Sequence, residues 1–268
     1  MSAADPKVRV RKLIAMASPL WAGEAEVVRT YWSSPERSRE SDMQWLARQS
    51  FKEFWGSGVS KYDRGGVFFG TLKTVQELGP TIDLTTDRHE VLGVLEGLWA
   101  EFSHYCAFAD AYDAIRPAGT PKMNPHNLEA WPEEDALTAL RYQHQDKYGA
   151  VGMRACKLTE GGYCTLFSEG MKLKGRGGID DKIADACSLV YEDEFGHMLA
   201  GITGIAEEGL TAADWDLMER LVCEQMERRI HMRNGQFSHP LSEARIQSIM
   251  RGDIEPIKFD YEKAQLDH

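Results

Sequence analysis

Leu98-Trp99-Ala100-Glu101-Phe102-Ser103-His104-Tyr105 and, later in the chain, Val190-Tyr191-Glu192-Asp193-Glu194-Phe195-Gly196-His197 carry the same pattern, Glu-x-x-His, in apolar surroundings. On a helix, residues three apart share a face one turn apart. A Glu and a His so placed can serve one pair of metal ions, the imidazole binding one ion and the carboxylate one or both. Two such helices facing each other supply two His and two Glu. Hard oxygen with borderline nitrogen suits iron or manganese and leaves coordination positions open. A single copy arises by chance, but two copies in mid-helix carry weight. A Glu among Leu98, Trp99, Phe102 and Tyr105 is also costly to bury unless something neutralises it.

Outward from these motifs the chain reads as helix almost throughout. Thr85, Thr86 and Asp87 offer N-caps for a helix over about 88–115, and Asp180 or Asp181 for one over about 180–206. Apolar spacing predicts earlier helices over 8–31, 41–55 and 67–78, broken by Ser34-Pro35, a glycine-rich stretch and Gly79-Pro80. Residues 116–132 are loop-like, with Pro117, Pro121 and Pro125. Pro132-Glu-Glu-Asp then opens a helix running to about 173, with a kink at Gly161-Gly162. Thr211-Ala-Ala-Asp starts another to about 233, and Ser242 caps a short one in an otherwise polar tail. No linker divides the chain, so one helical domain is expected over 1–268. It has a metal-binding bundle at about 41–206 and accessory helices at about 8–31 and 211–250.

A dinuclear bundle needs one further carboxylate from each of two other helices. Counting equal heights across the two expected hairpins brings Glu160 level with Glu194 and Asp63 level with Glu101. Glu169 and Glu53 are the alternatives if the helix ends lie elsewhere. The Pro-rich stretch at 116–132 is then the long crossover between the hairpins.

With these residues in place the chain resembles the ferritin-like di-iron carboxylate superfamily, in architecture over about residues 41–206. Asp193-Glu194-x-x-His197 is similar to the Asp-Glu-x-x-His of ribonucleotide-reductase radical subunits and bacterial multicomponent monooxygenases. The resemblance implies that Asp193 orients a metal-bound histidine. Ala100 stands in that place before Glu101, and Ser103 and Gly196 stand where those groups have Arg. It further implies an all-α, ferritin-like four-helix bundle with two Glu-x-x-His helices and extra terminal helices. The implied ligands are Asp63, Glu101, His104, Glu160, Glu194 and His197, with Glu101 and Glu194 also catalytic. They would hold two Fe ions, or a Mn/Fe pair, with O2 as co-substrate.

The expected function is an O2-activating dinuclear iron oxidase or monooxygenase acting on a small organic substrate with an external electron donor. The rivals are a ferritin- or rubrerythrin-like iron-storage protein and a haem-oxygenase-like di-metal oxidase. Helices beyond four argue against a minimal storage cage. The lack of a four-cysteine iron site argues against a rubrerythrin.

Bulk properties agree with that class. A net charge of −11 argues against a nucleic-acid surface, and no apolar run is long enough to span a membrane. Five cysteines without a Cys-x-x-Cys pair read as small core residues in a reducing, cytoplasmic setting, and residues 1–11 lack the apolar core of a signal peptide. A homodimer is compatible with this reading. Tyr105, Tyr163 and Tyr191 read as core aromatics near the proposed ligands. Gly161, Gly162 and Gly196 beside them serve either close packing or open space. His231, His239 and Glu224–Arg229 read as a solvated helix end without a role.

Overall fold

Helix α1 (Pro6–Trp32) begins where Asp5 accepts a hydrogen bond from the Lys7 amide, with Pro6 in the first turn. It is followed by α2 (Arg39–Trp55), α3 (Gly66–Leu78), α4 (Arg88–Ile115), α5 (Pro132–Thr159), α6 (Gly162–Met171), α7 (Gly178–Thr203), α8 (Ala212–Gln236) and α9 (Glu243–Met250). The computed structural model describes residues 5–56, 66–159, 162–207, 209–263 and 265–267. The side chains of residues 66, 162, 163, 197, 206, 207 and 265–267 lie outside that description.

The local signals explain most helix ends. Ser38 and Ser41 form a reciprocal capping pair at the start of α2, as Thr211 and Asp214 do for α8. Asp87 caps α4 and Ser242 caps α9. The start of α7 differs from expectation. Gly177, at φ +83°, occupies the N-cap without a side-chain bond. Asp180 and Asp181 sit in the first turn instead, where Asp180 meets Arg37 and Asp181 accepts from the Gly175 amide. The tail is not wholly helical or irregular. Lys258–Asp260 (β1) and Gln265–Asp267 (β2) pair antiparallel, which is the strand content of the described residues.

The segment expected as one helix over 132–173 is α5 and α6. Within α5, Gly149 (φ 55°, ψ −125°) breaks the helical path, a backbone state glycine enters without steric cost. A side chain at Gly152 would meet the His144 carbonyl at 2.2 Å, so the chain around the break closes on itself. After this offset α5 packs on α8, and the much shorter α6 is left as the hairpin partner of α7.

The helices α2, α4, α6 and α7 form the layer that carries the motifs. Trp45 and Phe54 on α2 meet Phe108 and Tyr105 on α4, so these helices run antiparallel. α4 packs next on α7, and α7 on α6 so closely that a side chain at Gly170 would strike Cys187 Sγ. α1 and α8 cover the other side. One buried cluster runs from Val10 and Trp21 on α1 through Trp45, Phe108, Phe167 and Val190 to Met226 and Ile230 on α8. Each fully buried aliphatic side chain there contributes about 1.5–3 kcal/mol relative to exposure.

The end of α8 is not the solvated end that its charges suggest. Arg229 and Arg233 are fully buried, and both donate to Glu24 of α1, at 2.8 and 3.1 Å. Of the cysteines, Cys156, Cys164 and Cys187 are buried, whereas Cys223 is exposed and so is not a core residue. No described helix is long and apolar enough to cross a membrane.

Candidate metal centre

His104 lies in the middle of α4 and is completely buried. Its two ring nitrogens face different surroundings. Nε2 is 3.1 Å from Oδ2 of Asp193, which reaches it from α7. Nδ1 has no hydrogen-bond partner among the described residues, yet three carboxylates converge on it. Glu53 Oε2 on α2 is at 3.7 Å, Glu194 Oε1 on α7 at 3.9 Å, and Glu101 Oε2 one turn earlier on α4 at 4.0 Å. These distances are too long for hydrogen bonds and leave room for an ion between the groups. Burial by itself would push the imidazole pKa down, but Glu53, then Glu101 and Glu194, outweigh it and raise it to about 9.

Ligand atoms of Glu53, Glu101 and His104 all lie within 4.8 Å of one another. With Glu194 and Asp193, four carboxylates surround one imidazole, a concentration of negative charge that a divalent cation would neutralise. The donors are carboxylate oxygens and an imidazole nitrogen, and the nitrogen facing the oxygens is a buried atom without a hydrogen-bond partner among the described residues. That set fits iron or manganese. Asp193 gives Nε2 a contact that fixes the ring and leaves Nδ1 turned toward the other carboxylates.

The structure sorts the remaining candidates. Asp63, Glu160 and the side chains of His197 and Tyr163 lie outside the described residues, although His197 belongs to α7 one turn beyond Glu194. Glu53 was the alternative to Asp63, and it is the described carboxylate of α2 that faces His104. α2 packs antiparallel on α4, which brings Glu53 level with His104. Glu169, the alternative to Glu160, is buried elsewhere and is taken up by Arg29 at 2.8 Å and Lys172 at 2.9 Å.

The apolar setting of Glu101 is different from the one its neighbours suggest. Trp99 is 71% exposed and Phe102 41%, so this face of α4 lies partly at the surface. The burial argument belongs to His104 and Glu53 instead. An aromatic wall does stand beside the site: Phe54 packs on Tyr105 and Phe68, and Phe102 on Tyr105 and Phe68. Tyr105 belongs to this wall, and Tyr191 packs on Phe195. Among the described residues a side chain at Gly196 would meet nothing within 4 Å, which is open space rather than close packing.

No family model matches the chain, and no curated protein or solved structure is significantly similar to it.

A cleft of about 500 Å³ opens between Trp32, Arg37, Asp42, Ile115 and Ile179. Ile115 lies roughly 16 Å beyond His104 along α4, at 1.5 Å per residue. The cleft is thus at the end of the bundle, away from the carboxylates.

Proposed function

We propose that the chain is an O2-using, non-haem dinuclear iron oxidase or monooxygenase acting on a small organic molecule with electrons from an external donor. The observation that supports it best is the His104 arrangement: Nδ1 aimed at carboxylates from three helices while Nε2 is held by Asp193.

Glu53, Glu101 and His104 would hold one ion, Glu194 and His197 would serve the second, and Glu101 and Glu194 would lie between the two. An iron pair so held supplies Lewis acidity and redox equivalents for reaction with O2. His104 must release its Nδ1 proton before binding, and the nearby carboxylates that favour the protonated ring then favour the cation that replaces it. Asp193 keeps the ring from rotating, so the nitrogen presented to the ion does not change between states. Phe102, Tyr105, Phe54 and Phe68 give an apolar boundary on one side, which limits water at the ligands.

Anaerobic loading with ferrous iron followed by exposure to O2 tests this reading. The chain should bind about two ions, as the two-helix motif pair requires. It should then react with O2 once, in a stoichiometric event, and stop until reduced. One ion or fewer under iron excess removes the dinuclear reading. Continued oxidation of added iron with a growing ferric mineral would instead identify a store.

A further inference from the structure

Glu53 is gripped on the side away from His104. Gln49, one turn earlier on α2, donates from Nε2 to Glu53 Oε1 at 2.5 Å, while Oε2 is the oxygen 3.7 Å from His104 Nδ1. The two oxygens therefore have separate tasks: one is tied back and the other is presented to the site. Gln49 in turn accepts at Oε1 from Gln236 Nε2, at 2.7 Å. Gln236 accepts at Oε1 from Arg233 Nη1, and Arg233 Nε donates to Glu24 Oε2 at 3.1 Å. Gln49, Gln236 and Arg233 are all completely buried.

The direction of this chain is set by chemistry. A guanidinium has donors and no acceptor. Arg233 must therefore face the amide oxygen of Gln236, which turns the Gln236 NH2 toward Gln49. That NH2 must face the Gln49 oxygen, which turns the Gln49 NH2 toward Glu53. Neither amide can flip without setting donor against donor at one end of its bonds and acceptor against acceptor at the other. Burial makes such a mismatch cost about 1–3 kcal/mol per unsatisfied group.

We propose that Gln49 is a positioning residue for the metal ligand Glu53, aimed by a one-way chain of donors that begins at Arg233 on α8. This inference rests on the metal-centre reading. Glu53 is thereby restricted to binding an ion through Oε2 alone. The α1–α8 layer, which contributes no described ligand, sets the geometry of the centre through Glu24, Arg233 and Gln236.

The test uses the full chain and cobaltous ion as the probe, followed by visible absorption. Gln49→Met and Gln236→Met keep the length of the side chain and remove the donor. Gln225→Met is the control. Gln225 is an equally buried glutamine on α8, but it bonds His144 and Thr159 rather than the chain leading to Glu53. Gln49→Met should weaken cobalt binding about 10- to 100-fold, as losses of a ligand's outer contacts do, and should change the cobalt absorption bands. Gln236→Met should shift both in the same direction, and the double variant should fall no further than Gln49→Met, because one break interrupts the chain. Gln225→Met should lower thermal stability and leave cobalt affinity unchanged.

If both chain variants melt lower but bind cobalt with parental affinity and spectrum, Gln49 only fills the core and the proposal fails while the metal centre stands. If the parent chain binds no cobalt, the centre and the proposal fail together. Should Gln49→Met not fold, side-chain amide NMR on the parent serves instead. The Gln49 and Gln236 amide signals should both shift on loading with zinc, and unmoved signals would overturn the proposal.

Discussion

Asp193 on α7 lies 3.1 Å from Nε2 of His104 on α4, so the residue before one motif's glutamate holds the histidine of the other. The two Glu-x-x-His helices are thereby coupled, and His104 can offer only Nδ1 to an ion. Asp193→Asn keeps an acceptor but removes the charge. It should weaken metal affinity roughly 10- to 100-fold with little change in the fold. Metal titration by calorimetry checks this, and parental affinity would reduce Asp193 to a surface acid.

Glu53 and Glu169 are both buried glutamates on helices of the motif layer, and they should behave oppositely. Glu53→Gln should lose most of the bound metal, because Oε2 faces His104 Nδ1 at 3.7 Å. Glu169→Gln should keep the metal and lower the melting temperature, because Glu169 is already engaged by Arg29 and Lys172. Metal content by elemental analysis decides, and equal losses would mean the ligand side of α2 has been misassigned.

Glu24 is the shared carboxylate of two fully buried guanidinium groups. Glu24→Ala should destabilise the chain by about 3–5 kcal/mol, since removing one partner leaves buried charge uncompensated. Replacing Glu24, Arg229 and Arg233 together by apolar residues of similar volume should recover much of that loss. Urea unfolding of the variants measures both effects.

His104 titrates at about 9 in the metal-free fold, against 6.5 ordinarily. Between these values the folded metal-free chain holds a proton that the unfolded chain has lost. Its stabilising contribution is complete below pH 6.5 and disappears as pH rises through 9. Melting temperatures of metal-free protein across that range should fall in the parent and fall less in His104→Gln. Metal binding at neutral pH should expel about one proton from this ring. Calorimetry in buffers of different ionisation enthalpy counts it, and a count of zero would remove His104 from the ligand set.

Most helices were legible in the sequence, because apolar periodicity, capping residues and proline or glycine breaks are local signals; the break at Gly149 inside α5 and the Gly177 start of α7 were not. The starts of α4, α8 and α9 follow from the caps Asp87, Thr211 and Ser242. The sequence also singled out Glu101 with His104 and Glu194 with His197, since a three-residue spacing on a helix already puts two side chains on one face; Asp193 came from the resemblance alone. Which carboxylate of the α2–α3 side reaches His104 was decided by tertiary structure. Heights can be matched only once the packing of α2 on α4 is known, and that packing sets Glu53 beside His104. The surface position of Trp99 and the burial of Arg229 and Arg233 were likewise decided by packing, since a charged face becomes interior once Glu24 from α1 meets it. Gln49 was invisible for the same reason. A glutamine four residues before a glutamate is unremarkable in a helix, and it acquires direction only when Gln236 and Arg233, nearly two hundred residues away, close the chain of donors behind it.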